Sequence, residues 1–207
     1  MRNLLDIATA TVAATALIAA TPATSPEPWN VDSAHTEVTF EVRHFFTPVS
    51  GKFDEFEIDL VYDAEDASNS TVSAVIPVGS IDTNNESRDE HLESPDFFDA
   101  PTYPNITFES TSVRRVAENQ LIATGDLTIK DVTREVELPI TMLGMKDIPA
   151  EMQEMLGGIG RVAAFEGTLE IDRNDFGVGT GQWAADAVVG TTVSIRLAVE
   201  ANQPAEM

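Results

Sequence analysis

The chain of 207 residues contains no cysteine. That excludes a disulfide framework, a thiolate metal site and a cysteine nucleophile. It does not exclude export, because a domain of this size is held together by its core. Positive charge is also scarce: Lys and Arg number 12 against 35 Asp and Glu, a formal net charge of −23. The lysines are Lys52, Lys130 and Lys146. Phosphate backbones would be repelled, so nucleic acid is not an expected partner, and an anionic membrane face is disfavoured in the same way. Also missing are a sustained helical period that would supply βαβ crossovers, a G-x-S-x-G elbow and a Ser-His-acid grouping. Gly157-Gly158-Ile159-Gly160 does not sit in a strand-to-helix phosphate loop. Paired carboxylates carry little information in so acidic a chain.

Apolar runs long enough to span a bilayer are absent as well. Ile7 to Ala20 is too short and reads instead as the apolar core of a secretory leader, after Arg2 and before a Thr21-Pro22-Ala23 cleavage context. Asp6 makes that leader atypical; the alternative is an Ala-rich amphipathic helix that stays attached. No cysteine follows the apolar run, so a lipoprotein anchor is excluded. The division read from the sequence is a signal peptide over 1–23, a linker over 24–28, one domain over 29–201 and a tail over 202–207.

Within the domain the apolar residues recur with period two. Glu37 to Arg43 alternates Val38, Phe40 and Val42 with Thr39, Glu41 and Arg43. The same pattern covers Phe53–Tyr62, Thr71–Ile81, Asn105–Val113, Gln120–Lys130, Arg134–Leu143, Ala163–Arg173 and Thr191–Glu200. Eight or nine one-faced strands with turn residues between them predict an all-β, antiparallel sandwich or closed barrel. Periodicity alone leaves a solid core and a ligand-holding barrel both open. Short helices are expected over Glu86–Leu92, from Ser94 with Pro95 at its first position, and over Pro149–Leu156.

The run Ser80–Phe108 packs special residues between two strands, in the manner of a structured cap. Together with V-D-S-A-H-T-E-V-T-F-E-V-R-H (Val31–His44), G-K-F (Gly51–Phe53), G-D-L-T-I-K-D-V-T-R-E-V (Gly125–Val136) and I-D-R-N-D-F-G-V (Ile171–Val178), it resembles the YceI-like family of periplasmic polyisoprenoid-binding proteins. The resemblance spans about Trp29 to Val199. The chain departs from the family at Asp131, where Gly is commoner, and in a Met-rich stretch near Met142 to Gly160. The resemblance implies an antiparallel eight-stranded lipocalin-like barrel with short capping helices, in the periplasm or secreted. Such a barrel would sequester or carry a quinone or prenyl-phosphate tail without catalysis. The alternatives are a stress-related interaction protein on a solid-core barrel and a His-based metal-dependent enzyme. A homodimer is possible on this reading.

The expected apolar wall comprises Phe40, Val42, Phe45, Phe53, Ile76, Phe97, Phe98, Phe108, Leu127, Ile129, Phe165 and Phe176. Arg43, His44, Arg88, Asp89 and His91 are expected at a polar mouth or cap, with Arg88 and Asp89 pinning the helix, for instance against Arg43 or Glu41. Met142, Met145, Met152 and Met155 form a soft cluster, either a lid or a partly buried surface helix. His35, His44 and His91, near Asp32, Glu41 and Asp89, match no zinc spacing. They read as hydrogen-bonding ties at strand ends, with no metal and no cofactor expected beyond the lipid.

The acidic surface keeps the protein dispersed, and the shortage of lysine fits a saline setting where screening relaxes self-repulsion. The melting temperature is expected to rise between dilute buffer and molar salt. An unchanged melting curve would contradict adaptation to salt.

Overall fold

The computed structural model describes residue 26 and residues 28–205. The expected signal peptide, most of the linker and the last two residues of the tail lie outside the described residues. The chain makes an antiparallel meander of eight passes, three of them interrupted. The first pass is β1 (Pro28–Val31) and β2 (Glu37–His44), the second β3 (Thr47–Phe53) and β4 (Glu57–Val61), the third β5 (Thr71–Pro77) and β6 (Ile81–Asp82). The rest are unbroken: β7 (Asn105–Ala117), β8 (Gln120–Ile129), β9 (Val132–Asp147), β10 (Ile159–Asp172) and β11 (Val189–Pro204). Each pass pairs with the next, and the last returns to the first. β11 meets β1 at Asn30↔Asn202 and Val31↔Ala201, and β2 from Ala198↔Glu37 to Val189↔His44. The sheet thereby closes into a barrel and loses its two free edges.

The break in the first pass has a local cause. The Asp32 carboxylate accepts from Ala34 N–H at 2.9 Å, starting a 3-10 turn over Ser33–His35. Such Asx geometry competes with the strand ladder. β11 stays bonded across the gap: Asp32 N–H donates to Glu200 O at 2.9 Å, and Glu200 N–H donates to Thr36 Oγ1 at 3.3 Å. The second pass, read in sequence as one strand from Phe53, instead breaks after Phe53. There Asp54 N–H leaves its neighbour and donates to Ser80 O at 2.9 Å.

Period two decides which side chains face inward. On β8, Leu121, Ala123, Leu127 and Ile129 are buried, while Gln120 and Asp126 face water. Two buried clusters fill the ends of the barrel. One gathers Trp29, Tyr62, Val113, Leu121, Leu138 and Phe165. The other gathers Val38, Phe53, Phe97, Ile106, Phe176 and Val178 beneath the cap.

The cap begins with α1 (Glu86–Glu93), whose N-cap Asn85 accepts from Arg88 N–H at 3.0 Å. The helix expected from Ser94 does not form. Phe98 N–H and Ala100 N–H donate back to Leu92 O and Glu93 O, which folds Ser94–Ala100 into turns against the end of α1. The Met-rich helix shrinks to α2 (Ala150–Gln153), followed by turns that lead through Gly157 and Gly158 at positive φ. Among the described residues, no helix is long and apolar enough to cross a membrane.

At the closing seam His35 Nδ1 lies 2.9 Å from Asp32 Oδ2 and 3.8 Å from Glu200 Oε1. The Asp32 hydrogen bond, then the Asp32 and Glu200 charges, raise the His35 pKa. The same bond, aided by Ala34 N–H, lowers that of Asp32. The His35 contribution is complete below the ordinary imidazole pKa and fades as pH climbs through the raised folded value. The Asp32 contribution is complete above the ordinary carboxylate pKa and fades as pH falls through the lowered one. The seam is therefore tightest in the mildly acidic window between the two ordinary values. Asp32→Asn is expected to lower the His35 pKa in an NMR titration of the ring protons; an unmoved titration would refute the coupling.

Candidate functional site

The inward faces of the passes enclose two adjoining apolar chambers. The larger, about 150 Å³, is walled by β2, β3, β4, β5, β7, β8, β9, β10 and β11, with Tyr62 and Phe165 toward the uncapped end. The smaller, about 90 Å³, lies under the cap between Leu92, Phe97, Phe98, Val178 and Val189. Phe40, Phe53, Ile106, Ile129 and Ile195 line both, so the chambers meet at this ring of residues. Carbon-lined space of this size stays dry and accepts apolar guests. Among the described residues, no buried side-chain nitrogen or oxygen lacks a partner. The chamber walls therefore present carbon almost throughout, with no unpartnered polar side chain facing inward.

The capped end is fastened by Arg173, which is only 4% exposed. It sits at the first position of the 3-10 turn Arg173–Phe176, directly after β10. Its guanidinium donates to Gly190 O at 2.8 Å, Val178 O at 2.9 Å, Gly179 O at 2.6 Å, Trp183 O at 2.5 Å and Val189 O at 3.0 Å. Five donors meeting five backbone carbonyls match the full capacity of the group. Burial lowers its pKa, opposed by the charges of Asp172 and Asp186, and the group stays charged. Gly179 has φ +67, and a side chain there would press on Arg173 Nη1 at 2.6 Å and on the Phe97 ring. Lys130 Nζ then ties the two halves of the cap, donating to Phe97 O at 3.0 Å and Gly177 O at 3.1 Å. The rings of His91, Phe97 and Trp183 pack together at centroid distances of 5.0 to 5.7 Å. Trp183 Nε1 donates to Asp96 Oδ2 at 3.2 Å.

The opposite end is stopped by aromatic residues. The Tyr62 ring meets Phe165 edge-on at 5.2 Å, and Trp29 Nε1 donates to Tyr62 O at 3.2 Å. Tyr62 Oη accepts from Arg115 Nη2 at 3.3 Å and donates to Met142 Sδ at 3.5 Å.

Sequence comparison places this architecture among known proteins. The YceI-like domain matches residues 29–201. The chain belongs to the YceI-like family. Protein YceI of Escherichia coli O157:H7 is 32% identical over 165 residues, 79% of this chain and 82% of that protein. A UPF0312 protein of Staphylococcus aureus strain N315 is 36% identical over 152 residues, 73% of this chain and 82% of that one. Among solved structures, BcnA of Burkholderia cenocepacia superposes with a TM-score of 0.73 at 29% identity, covering 83% of this chain and 99% of BcnA. A domain of Saccharophagus degradans described as polyisoprenoid-binding shares the fold, with a TM-score of 0.60 at 13% identity over 85% of this chain and 98% of its own.

In this YceI-like barrel the expected wall residues divide. Phe40, Phe53, Ile76, Phe108, Leu127, Ile129 and Phe165 line the larger chamber, and Val42, Phe97 and Phe98 the smaller. Phe45 and Phe176 line neither. Phe45 occupies the β2–β3 turn at φ 53, is 54% exposed, and donates its N–H to Val188 O; the adjacent Phe46 is 92% exposed. Phe176 is buried beneath the cap among Val38, Phe97 and Val178.

The polar candidates do not converge on one mouth. Arg43 faces Asp186 at 3.9 Å, and His44 stacks edge-on against Phe45. Arg88 and Asp89 do not pair with Arg43 or Glu41. Both hold Thr83, Arg88 through Nε at 2.7 Å to Oγ1 and Asp89 by accepting Thr83 N–H at 3.0 Å. His91 contacts Asp96 at 3.3 Å. Met145, Met152 and Met155 are exposed at the uncapped end and line neither chamber. His35, Asp32 and Glu200 bring ligand atoms within 4.8 Å of one another, but on the outer surface at the seam; His44 and His91 lie elsewhere. Sequence reading missed Arg173, Tyr62 and the wall residues Leu138 and Leu197. The signal for Arg173 was a cation closing an apolar alternation immediately before a glycine-rich loop.

Arg173→Ala is expected to lose at least about 3 kcal/mol in urea unfolding, because five carbonyls lose their donor. Arg173→Lys should recover only part, since an ammonium supplies three donors. A loss below about 1 kcal/mol for the alanine variant would show that the cap does not depend on this residue.

Proposed function

We infer that the protein binds the hydrocarbon tail of a polyisoprenoid lipid inside the barrel and sequesters or carries it, without changing it chemically. The observation behind this reading is the pair of joined, carbon-walled chambers in a domain whose outside is strongly acidic. Family membership supports it, and so does the shared fold with a domain described as polyisoprenoid-binding. A branched, unsaturated chain suits a lumen lined alternately by aromatic rings and aliphatic side chains, where every contact is van der Waals in kind.

Each buried methylene contributes about 0.8 kcal/mol, so one five-carbon unit contributes about 4 kcal/mol before ordering costs. More than about five units would exceed the ceiling of about −20 kcal/mol for non-covalent affinity, so for a long chain ordering and the opening of an end must offset much of the gain. Affinity then comes from the tail. A quinone ring or a phosphate would sit at an end of the barrel and contribute orientation. Export by the sequence-read leader would place the barrel between membranes, where a shielded carrier for a water-insoluble chain has a use. A solid-core interaction scaffold would have side chains meeting across the space these chambers occupy.

Protein taken from its native host, extracted with organic solvent and examined by native mass spectrometry, is expected to release a prenyl lipid. Ala74→Phe, which projects a ring into the larger chamber, should weaken farnesol binding by about tenfold or more, the equivalent of losing two buried methylenes, with the melting temperature little changed. An empty extract together with no farnesol binding by the wild-type protein would overturn the reading.

A further inference from the structure

The geometry points to Gly51 as the residue that sets the bore between the two chambers, and hence the length of prenyl chain the barrel accepts. This inference rests on the lipid-binding reading above. Gly51 lies opposite Phe40 in the β2–β3 ladder. Residues directly opposite point to the same face of the sheet, so Gly51 faces the lumen as Phe40 does. With no Cβ there, the Phe40 ring lies down over the strand. A Cβ at Gly51 would collide with the ring Cζ, would stand 2.7 Å from Cε1, and would stand 2.9 Å from Thr83 Cγ2.

The two neighbours differ in their freedom to move. Thr83 is buried and held by Arg88 and Asp89 through both its hydroxyl and its backbone. It cannot retreat without unpicking the start of the cap. The Phe40 ring is bordered by chamber space, and it is also half of the aromatic pair at the junction, with Phe53 5.6 Å away at a tilt of 45°. A methyl at position 51 therefore swings Phe40 off the wall and into the passage. Arg88, Asp89 and Thr83 act as the fixed stop against which the ring is displaced.

The same device recurs on the far side of the barrel. A Cβ at Gly125 would stand 2.7 Å from Phe108 Cζ, so that ring too lies flat over a glycine. There the added carbon also meets backbone, Ser110 Cα at 2.8 Å, so a substitution would strain the strand itself. Gly51 is the position where the bore can be tested with the sheet left intact. Two phenylalanines folded onto the wall at glycines leave open a lumen that their rings would otherwise cross.

The test uses the full chain as wild type, Gly51→Ala, Phe40→Ala and the double variant Phe40→Leu/Gly51→Ala. Binding of geraniol, farnesol, geranylgeraniol and solanesol is measured by displacement of dansyl-farnesol. Wild-type affinity is expected to climb along the series until the chambers are filled. Gly51→Ala should bind geraniol within about twofold of wild type and the two longest alcohols about tenfold or more weakly, the equivalent of excluding a few buried carbons. The double variant, whose shorter side chain clears the passage, should restore the long chains. Phe40→Ala should shift the preference toward longer chains, and this arm stands even if Gly51→Ala folds poorly. Gly51→Ala binding every length as wild type does, or weakening all lengths equally, would overturn the assignment. So would a Phe40→Ala series that matches wild type. If the wild-type protein binds none of the alcohols, the lipid reading itself fails. A normal wild-type series left unmoved by the variants removes only the role of Gly51.

Discussion

The barrel depends on one shared edge. β11 is paired between Val189 and Asn202 by the first pass, with a register shift before Val193, and that pass is broken into β1 and β2. An antiparallel sheet with an apolar face and two open edges would leave a greasy trough in water. Two substitutes carry the pairing through the gap. Asp32 N–H still reaches Glu200 O, and the Thr36 hydroxyl takes the Glu200 N–H that a strand carbonyl would otherwise accept. Once the ring is closed, every strand has one wet and one dry face, and the dry faces share a single enclosed volume.

The two ends of that volume are stopped by different physics. Under the cap, a buried guanidinium gathers the carbonyls of Val178, Gly179, Trp183, Val189 and Gly190, with Lys130 bridging to the turns around Phe97. Charge-assisted bonds of this kind are directional and lock one arrangement. At the other end, Trp29, Tyr62 and Phe165 close the barrel mainly by ring packing, with a few weak polar ties. Rotating an aromatic side chain breaks few hydrogen bonds, whereas lifting the Arg173 loop breaks five together. The capped end is therefore the more firmly bonded of the two, and Met145, Met152 and Met155 stand exposed at the other.

Much of the wall was legible because period two is a strict rule. Val38, Phe40 and Val42 alternate with Thr39, Glu41 and Arg43, and the structure turns the first set inward. The rule fails where strands stop. Phe45 falls on the outward parity, in the β2–β3 turn, so its size and apolarity gave the wrong cue; Phe176 lies beyond β10, in a turn packed under the cap. Arg88 and Asp89 were expected to pin the helix against residues such as Arg43 or Glu41; they bond to Thr83 instead, which has no charge to advertise it. Arg173 was hidden for a related reason. Its partners are main-chain carbonyls, and only the folded path of the following loop brings five of them to one point. The strands β1 and β3 were not read at all, because Pro28–Val31 and Thr47–Phe53 each hold only two inward apolar side chains, too few to show an alternation.

The seam also governs how this chain acquires its shape. Thr36 and Glu200, which meet across it, stand 164 positions apart, so the pairing that shuts the barrel is among the most distant in the molecule. Contacts of such separation form slowly, because the entropy of closing a long loop comes before any reward. During synthesis, the seven earlier passes have no partner on which to close until the C-terminal strand has emerged. A nascent or truncated chain therefore carries two raw strand edges and an uncovered hydrocarbon face, the combination from which self-association grows.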